Sequence, residues 1–354
     1  MTKLALIQPS KVKDWERNFL RRVQSDLSQQ GPDSQFQLVP TVEEADVVLY
    51  VDSNESTRDL TVYRKLLEQA DKEGKFVFAL SLEDQPLGAL PGIYTSLVPG
   101  NFDSTLHLSW PHLEPPNSDV ESTTITPAKE ATKLFTFSGS CSHRLRRKLF
   151  SIFERGQSDR WKVVEIKRWY DHTDDEHKDY VNDILDSHFV LCPRGIAAYS
   201  HRIFEAMLLE RVPVIIADDW VPFSFPEQNY YITIPENELE EIAYHLEREL
   251  ENYDSYLSNV LATKSNWLAD DSRYAKIVGH FLEFHQQNPA AHEPKVLLER
   301  LKSHEFLNGN GLLSHQKLFA LANAVPRCGM KVFEKFAAIF FRNRATSATE
   351  ATDH

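Results

Sequence analysis

Phe189-Val-Leu-Cys-Pro-Arg-Gly-Ile-Ala-Ala-Tyr-Ser-His-Arg-Ile-Phe-Glu-Ala-Met-Leu-Leu-Glu-Arg-Val-Pro-Val-Ile-Ile-Ala-Asp-Asp-Trp220 divides into strand, loop, helix and strand. Residues 188–192 are a short apolar run closed by Pro193 and Gly195, the pattern of a buried strand that ends in a loop. Ser200 stands where an N-cap belongs, just before Ile203, Phe204, Met207 and Leu208 recur at helical spacing. Residues 212–217 read as a second buried strand, rich in β-branched residues and entered through Pro213. The unit is βαβ, which implies parallel strands and a right-handed crossover.

In such a sheet both strand ends open toward the edge where ligands of doubly wound folds sit. Arg194, Ser200, Arg202, Glu205, Asp218 and Asp219 are therefore expected around one cleft. The open N–H groups after Ser200 and the helix dipole attract an anion, and Arg194 or Arg202 can pair with phosphate through a bidentate fork. Glu205, about one turn into the helix, can accept hydrogen bonds from a ribose diol. Asp218 or Asp219 can bind sugar hydroxyls, although a turn cap after the strand accounts for one of them. The same spacing also fits an ordinary capped βαβ unit with Arg202 and Glu205 solvated.

Residues 180–187, Phe189-x-Leu-Cys-Pro-Arg-Gly, Ser200-x-Arg-x-Phe-Glu-Ala and Val212-Pro-Val-Ile-Ile-x-Asp-Asp-x-x-Pro-Phe223 together resemble the exostosin family of glycosyltransferases, family 47. The resemblance runs on through Tyr231-Ile-Thr-Ile-Pro-Glu236 and upstream to Leu134-Phe-Thr-Phe-Ser-Gly-Ser140, covering residues 130–285 or so. It implies an α/β chain of the GT-B fold, two Rossmann-like domains facing each other across a cleft. It also implies inverting transfer from a UDP-sugar held mainly by the C-terminal domain, with Glu205 as the ribose-binding carboxylate. Many retaining GT-B enzymes carry a second glutamate eight residues earlier, where this chain has Ala197, and this favours the inverting class. A family 10 fucosyltransferase-like enzyme using GDP-fucose and a non-catalytic sugar-nucleotide module are the rival readings.

The 354 residues suffice for two domains, each with its own core. A net charge of -13 argues against nucleic acid as a partner, so any anion site is local. Cys141, Cys192 and Cys328 are few and far apart, which fits a reducing compartment better than a disulfide framework. The first apolar run, Leu4-Ala-Leu-Ile7, reads as a strand, and no segment reaches the ~20 apolar residues that span a bilayer. Animal members of the family are type II membrane proteins of the Golgi. The expectation here is a soluble, cytoplasmic, bacterial form.

Residues 1–115 alternate strands and helices: a strand at 4–8, a helix from 14 to about 29, a strand at 47–51, a helix at 57–71 and a strand at 76–80. They form the expected acceptor-side domain. Residues 116–130, rich in Pro, Ser and Thr, form the expected linker, 131–288 the nucleotide-sugar domain, and 289–354 a helical tail. The turn Ser138-Gly-Ser-Cys-Ser142 leads into a basic helix; Ser138 and Ser140 let the backbone approach a pyrophosphate, and Arg144 and Arg147, on one helical face, are favoured to neutralise it.

Inverting transfer needs a base near the acceptor hydroxyl. Asp52 and Glu55 follow the strand at 47–51, and His107 is another possibility. His172-Thr-Asp-Asp-Glu-His177 invites a metal reading, yet Asp174 fits equally well as a helix cap, and Asp218-Asp219 lacks the spaced Asp-x-Asp of metal-dependent GT-A enzymes. Transfer without metal or cofactor is expected, to a glycan or lipid-linked acceptor. Residues 327–344 carry five cations, one carboxylate and an apolar stripe, a pattern that fits either peripheral contact with an anionic membrane or packing on a domain.

Overall fold

The computed structural model describes residues 1–8, 14–29, 34–52, 60–84, 86–114, 117–155, 158–167, 173–269 and 272–307. Glu55, His172, Cys328 and the 327–344 segment lie outside the described residues.

The first sheet follows β1 (Thr2–Ile7), α1 (Asp14–Ser28), β2 (Phe36–Leu38), β3 (Val47–Asp52), α2 (Leu60–Glu73), β4 (Phe76–Ser81), β5 (Gly92–Tyr94) and β6 (His107–Ser109). Its order is β2-β1-β3-β4-β5-β6, with every pair parallel. β3 and β4 are buried at every position, as continuous apolar runs in a sheet covered on both faces should be. β2, β5 and β6 are three residues each, too short for an alternation or an apolar run to reveal.

The second sheet follows β7 (Lys133–Gly139), α4 (Arg144–Arg155), β8 (Trp161–Glu165), α5 (Asp174–Leu185), β9 (Ser187–Pro193), α6 (Arg202–Leu208), β10 (Val212–Ile216) and β11 (Ile232–Thr233), with α7 (Ile242–Glu249) and α8 (Tyr253–Thr263) after it. A short helix, α3 (Asp119–Ser122), precedes β7. The order is β11-β10-β9-β7-β8, again all parallel. β8 lies on one side of β7 and β9 on the other. The winding direction therefore reverses between β7 and β9, and a crevice opens beyond their carboxyl ends.

The segment expected as a linker is anchored. Asn117 is buried and donates to the His177 carbonyl at 3.0 Å, and the Thr126 carbonyl accepts from Arg211 at 2.8 Å. Arg211 is 0% exposed; its guanidinium also donates to the carbonyls of Leu185, Leu209 and Glu210. It follows Glu210, which takes a φ of 58° where α6 ends, and the Arg211 and Glu210 N–H groups close back on Ala206 and Met207. At the start of α5 the cap is Thr173, not Asp174: Thr173 Oγ1 accepts from the Glu176 N–H at 3.2 Å, and Glu176 Oε2 accepts from the Thr173 N–H at 2.8 Å. A hydroxyl with a glutamate three residues on satisfies two open donors reciprocally, which Asp174 inside the helix cannot do.

Helix α9 (Arg273–Gln287) departs from the expected division at 288. It lies against the first sheet, where Phe281 stacks on Phe78 at 4.6 Å and the Tyr274 N–H donates to Asp26 at 2.7 Å. Helix α10 (Pro294–Leu307) follows. The chain divides into a compact unit over Met1–Glu299 and a second unit beginning at Arg300, of which the structure describes residues 300–307. Within the first unit the two sheets meet where the Ser224 N–H donates to the Ser109 carbonyl at 2.8 Å and Trp110 packs edge-on against Phe225. Among the described residues no helix is long and apolar enough to cross a membrane.

Under β4 the His285 ring stacks on Phe76 at 3.7 Å and shares a 2.8 Å Nδ1···Nδ1 contact with His292, which is 1% exposed. Burial pushes His285 down to about 4 and lowers His292, and it also holds His112 down at about 4. Depressed histidines bind more protons in the unfolded chain, so their contribution is intact above the ordinary value of about 6.5 and is lost as pH falls from there toward 4. Thermal melts at pH 7.5 and pH 5 should therefore differ by about 5 °C or more, with the acidic sample melting earlier. Equal melting temperatures would contradict the buried neutral rings.

Candidate functional site

The crevice between β7 and β9 is lined by guanidinium groups held on backbone carbonyls. Arg202, the first residue of α6, donates from Nε to the Ser138 carbonyl at 3.0 Å and also from Nη2, and its guanidinium lies 4.8 Å from the Phe137 ring centroid. Gly139 makes room for this grip, because a Cβ there would collide with Arg202 Nη2 and the guanidinium would have to shift. On the other flank Arg146, 8% exposed, donates from Nε to the Arg194 carbonyl and from Nη2 to the Pro193 carbonyl, both at 3.0 Å. Burial, then the neighbouring positive charge of Arg202, pushes Arg146 down to about 9. Among the described residues neither Arg146 nor Arg202 is ion-paired to a carboxylate.

Arg144 and Arg147, the arginines favoured from sequence, are exposed on α4. The helix starts at Arg144, and its buried face carries Leu145, Arg146, Leu149 and Phe150, so position 146 faces the crevice. Sequence periodicity already contained this signal, since Arg146 shares a face with Leu149 and Phe150.

Ser200 is not an N-cap. His201 occupies that position in helical geometry with no side-chain cap, and the Ser200 carbonyl accepts from the Ile203 N–H at 3.0 Å. The Ser200 hydroxyl is 4% exposed and has no hydrogen-bond partner in the protein. Arg194 Nη1 pairs with Asp219 and lies 3.7 Å from Glu236, while its Nε is buried without a partner. Asp218 and Glu236 exchange hydrogen bonds, the Glu236 N–H to Asp218 Oδ1 at 2.9 Å and the Asp218 N–H to Glu236 Oε1 at 3.3 Å. Both aspartates therefore brace the loop after β10.

Glu205, 4% exposed, accepts from the Tyr180 hydroxyl. Burial raises its pKa, while Tyr180, Arg202 and the Asn117 N–H act in the opposite sense. Ser138 is buried with its hydroxyl 3.5 Å from Asp183, and Ser140 is half-buried on the same turn. The structure thus gathers Ser138, Ser140, Arg194, Ser200, Arg202, Glu205 and Asp219 at the ends of β7, β9 and β10, together with Arg146.

The base candidates fare differently. Asp52 is buried and accepts from the Tyr63 hydroxyl at 2.8 Å. His107 is buried with both nitrogens engaged, Nδ1 by the Asp103 N–H and Nε2 with the Gly88 carbonyl, each at 3.0 Å. Both serve the interior of the first sheet. The histidine that the first sheet does bring to the crevice is His112, three residues past β6. Its N–H donates to the Tyr199 hydroxyl at 3.0 Å, and its ring lies 4.5 Å from that of His201. Nδ1 of each ring is buried without a partner, and burial keeps both rings neutral at neutral pH. Nothing in the sequence marked His112, because the strand before it is three residues long.

Apart from this crevice, the side chains of Glu238, Glu241 and His245 bring their ligand atoms within 4.8 Å of one another, with His245 Nε2 3.0 Å from Glu238. This is the metal-competent group among the described residues, and it lies outside the 172–177 run.

Replacing Gly139 by alanine should displace Arg202 from the Ser138 carbonyl. If the crevice holds a diphosphate, as the family resemblance implies, the expected result is at least ~10-fold weaker binding of uridine diphosphate by calorimetry, with an unchanged far-ultraviolet circular dichroism spectrum. Unaltered affinity would remove this contact from the binding site.

Residues 93–250 match the Exostosin GT47 domain. A rice protein described as "Probable glucuronosyltransferase GUT1" is 33% identical over 85 residues, 23% of this chain and 20% of that protein. An Arabidopsis thaliana protein described as "Probable beta-1,4-xylosyltransferase IRX10" is 33% identical over 85 residues, 23% of this chain and 21% of that protein. The matched segment thus spans about a fifth of the length of these relatives, which are plant proteins and lend no support to a bacterial source. Among solved structures, the lipopolysaccharide outer core galactosyltransferase WaaB superposes with a TM-score of 0.46 at 11% identity, covering 79% of this chain and 99% of that one. Residues 93–250, the stretch similar to the Exostosin GT47 domain, run from the far edge of the first parallel sheet through the whole of the second.

Proposed function

We propose that this chain is a glycosyltransferase that moves a sugar, with inversion and without a metal, from a UDP-sugar to a glycan or lipid-linked acceptor. The observation that carries the reading is the pair of inward-facing guanidinium groups, Arg146 and Arg202, which among the described residues form no salt bridge at the reversal between β7 and β9 and have in Glu205 one buried carboxylate acting on Arg202 from further off. Two neighbouring cations taken out of water are costly unless an anion joins them. The unpartnered Ser200 hydroxyl and Arg194 Nε lie on the same β9–α6 connection and add donors. A diphosphate supplies the charge and the acceptor atoms that this set lacks.

In such a reaction the arginines stabilise the departing diphosphate, an interaction that strengthens as the glycosidic bond breaks. Glu205 accepts from the Tyr180 hydroxyl and the Asn117 N–H, and a carboxylate has lone pairs beyond these two for a ribose hydroxyl. The acceptor hydroxyl must approach from the side opposite the leaving group, and its proton needs a base there. His112 comes from the first sheet, is held neutral and has an unpartnered Nδ1. It fits that role better than Asp52 or His107, whose polar atoms are engaged within the first sheet. The relatives named above suggest pentose or uronate as the sugar transferred.

Thermal-shift titration with UDP and GDP, followed by a transfer screen with glycan acceptors, tests the reading. UDP should stabilise the chain more than GDP, and a panel showing binding without any donor turnover would replace the enzyme by a binding module. Arg202→Ala should lower turnover at least ~100-fold with the fold intact. His112→Gln should lower kcat by about 100-fold or more, with UDP affinity retained. Full activity in the presence of a chelator is expected, and loss restored by manganese would contradict the metal-free mechanism.

A further inference from the structure

A cavity of about 390 Å³ lies between residues 34–36 at β2, the helical turn Lys264–Leu268 and α9. None of the residues around the arginine crevice lines it. Its size falls in the range of small-ligand sites. One wall is aromatic and fixed: the Trp267 indole N–H donates to Glu227 Oε2 at 3.0 Å, and the ring is held edge-on against Trp110 and His280, both at 5.2 Å. The polar groups around it are oriented yet not exhausted. Gln35 donates from Nε2 to Glu283 Oε1, which leaves Gln35 Oε1 and the second Glu283 oxygen as acceptors. Asn266 donates to Glu227 at 2.6 Å, which leaves its carbonyl and its second N–H. Gly279 keeps the hollow open, because a Cβ there would press to 3.3 Å from Gln35 Oε1.

We infer that this cavity binds a neutral oligosaccharide, at a site separate from the diphosphate crevice. A flat indole receives the apolar face of a sugar ring, while amide and carboxylate groups with spare acceptors match hydroxyls, which are donors in excess. Anionic sugars fit less well. Glu283 lines the cavity and Glu227 stands behind its tryptophan, against Lys276 alone, and burial holds His280 toward its neutral form. A purely apolar ligand would strand the amides and carboxylate without partners. On the glycosyltransferase reading the site holds a glycan acceptor at a distance from its reacting end, but the binding itself does not depend on that reading.

The test is saturation-transfer NMR and calorimetry on the full chain with xylohexaose and cellohexaose as neutral probes and hexagalacturonate as the charged one. The neutral chains should bind, and hexagalacturonate should bind at least tenfold more weakly. Gly279→Leu, which fills the hollow, and the milder Gln35→Ala at the exposed rim should each weaken neutral binding at least tenfold. UDP-induced thermal stabilisation should be unchanged in both. The proposal is overturned if no neutral chain binds at concentrations up to ~10 mM, if hexagalacturonate binds as well as the neutral chains, or if Gln35→Ala, folded by its melting curve, binds as the parent does. Neutral binding retained in Arg202→Ala separates this site from the diphosphate crevice; its loss there would merge the two and overturn the inference. Failure of UDP binding in the parent chain, with neutral binding intact, would sink the transferase reading alone.

Discussion

The grip of Arg202 on the Ser138 carbonyl ties the two sides of the second sheet's reversal together. It joins the first turn of α6 to the end of β7 beside a glycine whose Cβ, were there one, would displace the guanidinium. Arg146 makes the complementary contact from α4 to the end of β9. Backbone carbonyls are well suited to this task, since a peptide dipole orients a guanidinium without cancelling its charge. A carboxylate would have fixed the same side chains and neutralised them. Position, and a charge that no carboxylate within salt-bridge distance cancels, therefore come from one arrangement, which suits the proposed diphosphate site.

Much of the second sheet was legible because its chemistry is local. An apolar run, a Pro-x-Gly break, a helical period and a second apolar run have one economical reading, and strands β9 and β10 pair in the parallel register that it demands. Arg194, Arg202, Glu205 and Asp219 meet at one edge for the same reason. Where the reading went astray, a local detail depended on tertiary position. Ser200 has the composition of a cap, but α6 starts two residues later and its hydroxyl is left unpaired. Asp174 lost its capping role to Thr173 because Glu176 completes a reciprocal pair only with the residue three positions before it.

The first sheet was legible in its long elements and opaque at its far edge. Strands of three residues carry no period, so His112 and the contacts of Ser109 and Trp110 with residues 221–225 could not be placed from sequence. Helix α9 shows a second limit. Its amphipathic pattern announces a buried face but not the surface that covers it, and Phe281 finds Phe76 and Phe78, some 200 residues away in the chain.

Arg211 also bears on how the polypeptide can be divided. Its guanidinium is sealed from solvent and draws carbonyls from the end of α6, from α5 and from Thr126, which stands ahead of β7. An excised C-terminal fragment that began at residue 131 would keep the buried cation and lose one of its acceptors, at a cost of about 1–3 kcal/mol for the stranded donor. A fragment carrying the second sheet keeps every acceptor of Arg211 only if it starts upstream of Thr126. A cleavage site or fusion junction placed between that threonine and β7 would leave the second sheet weakened from within.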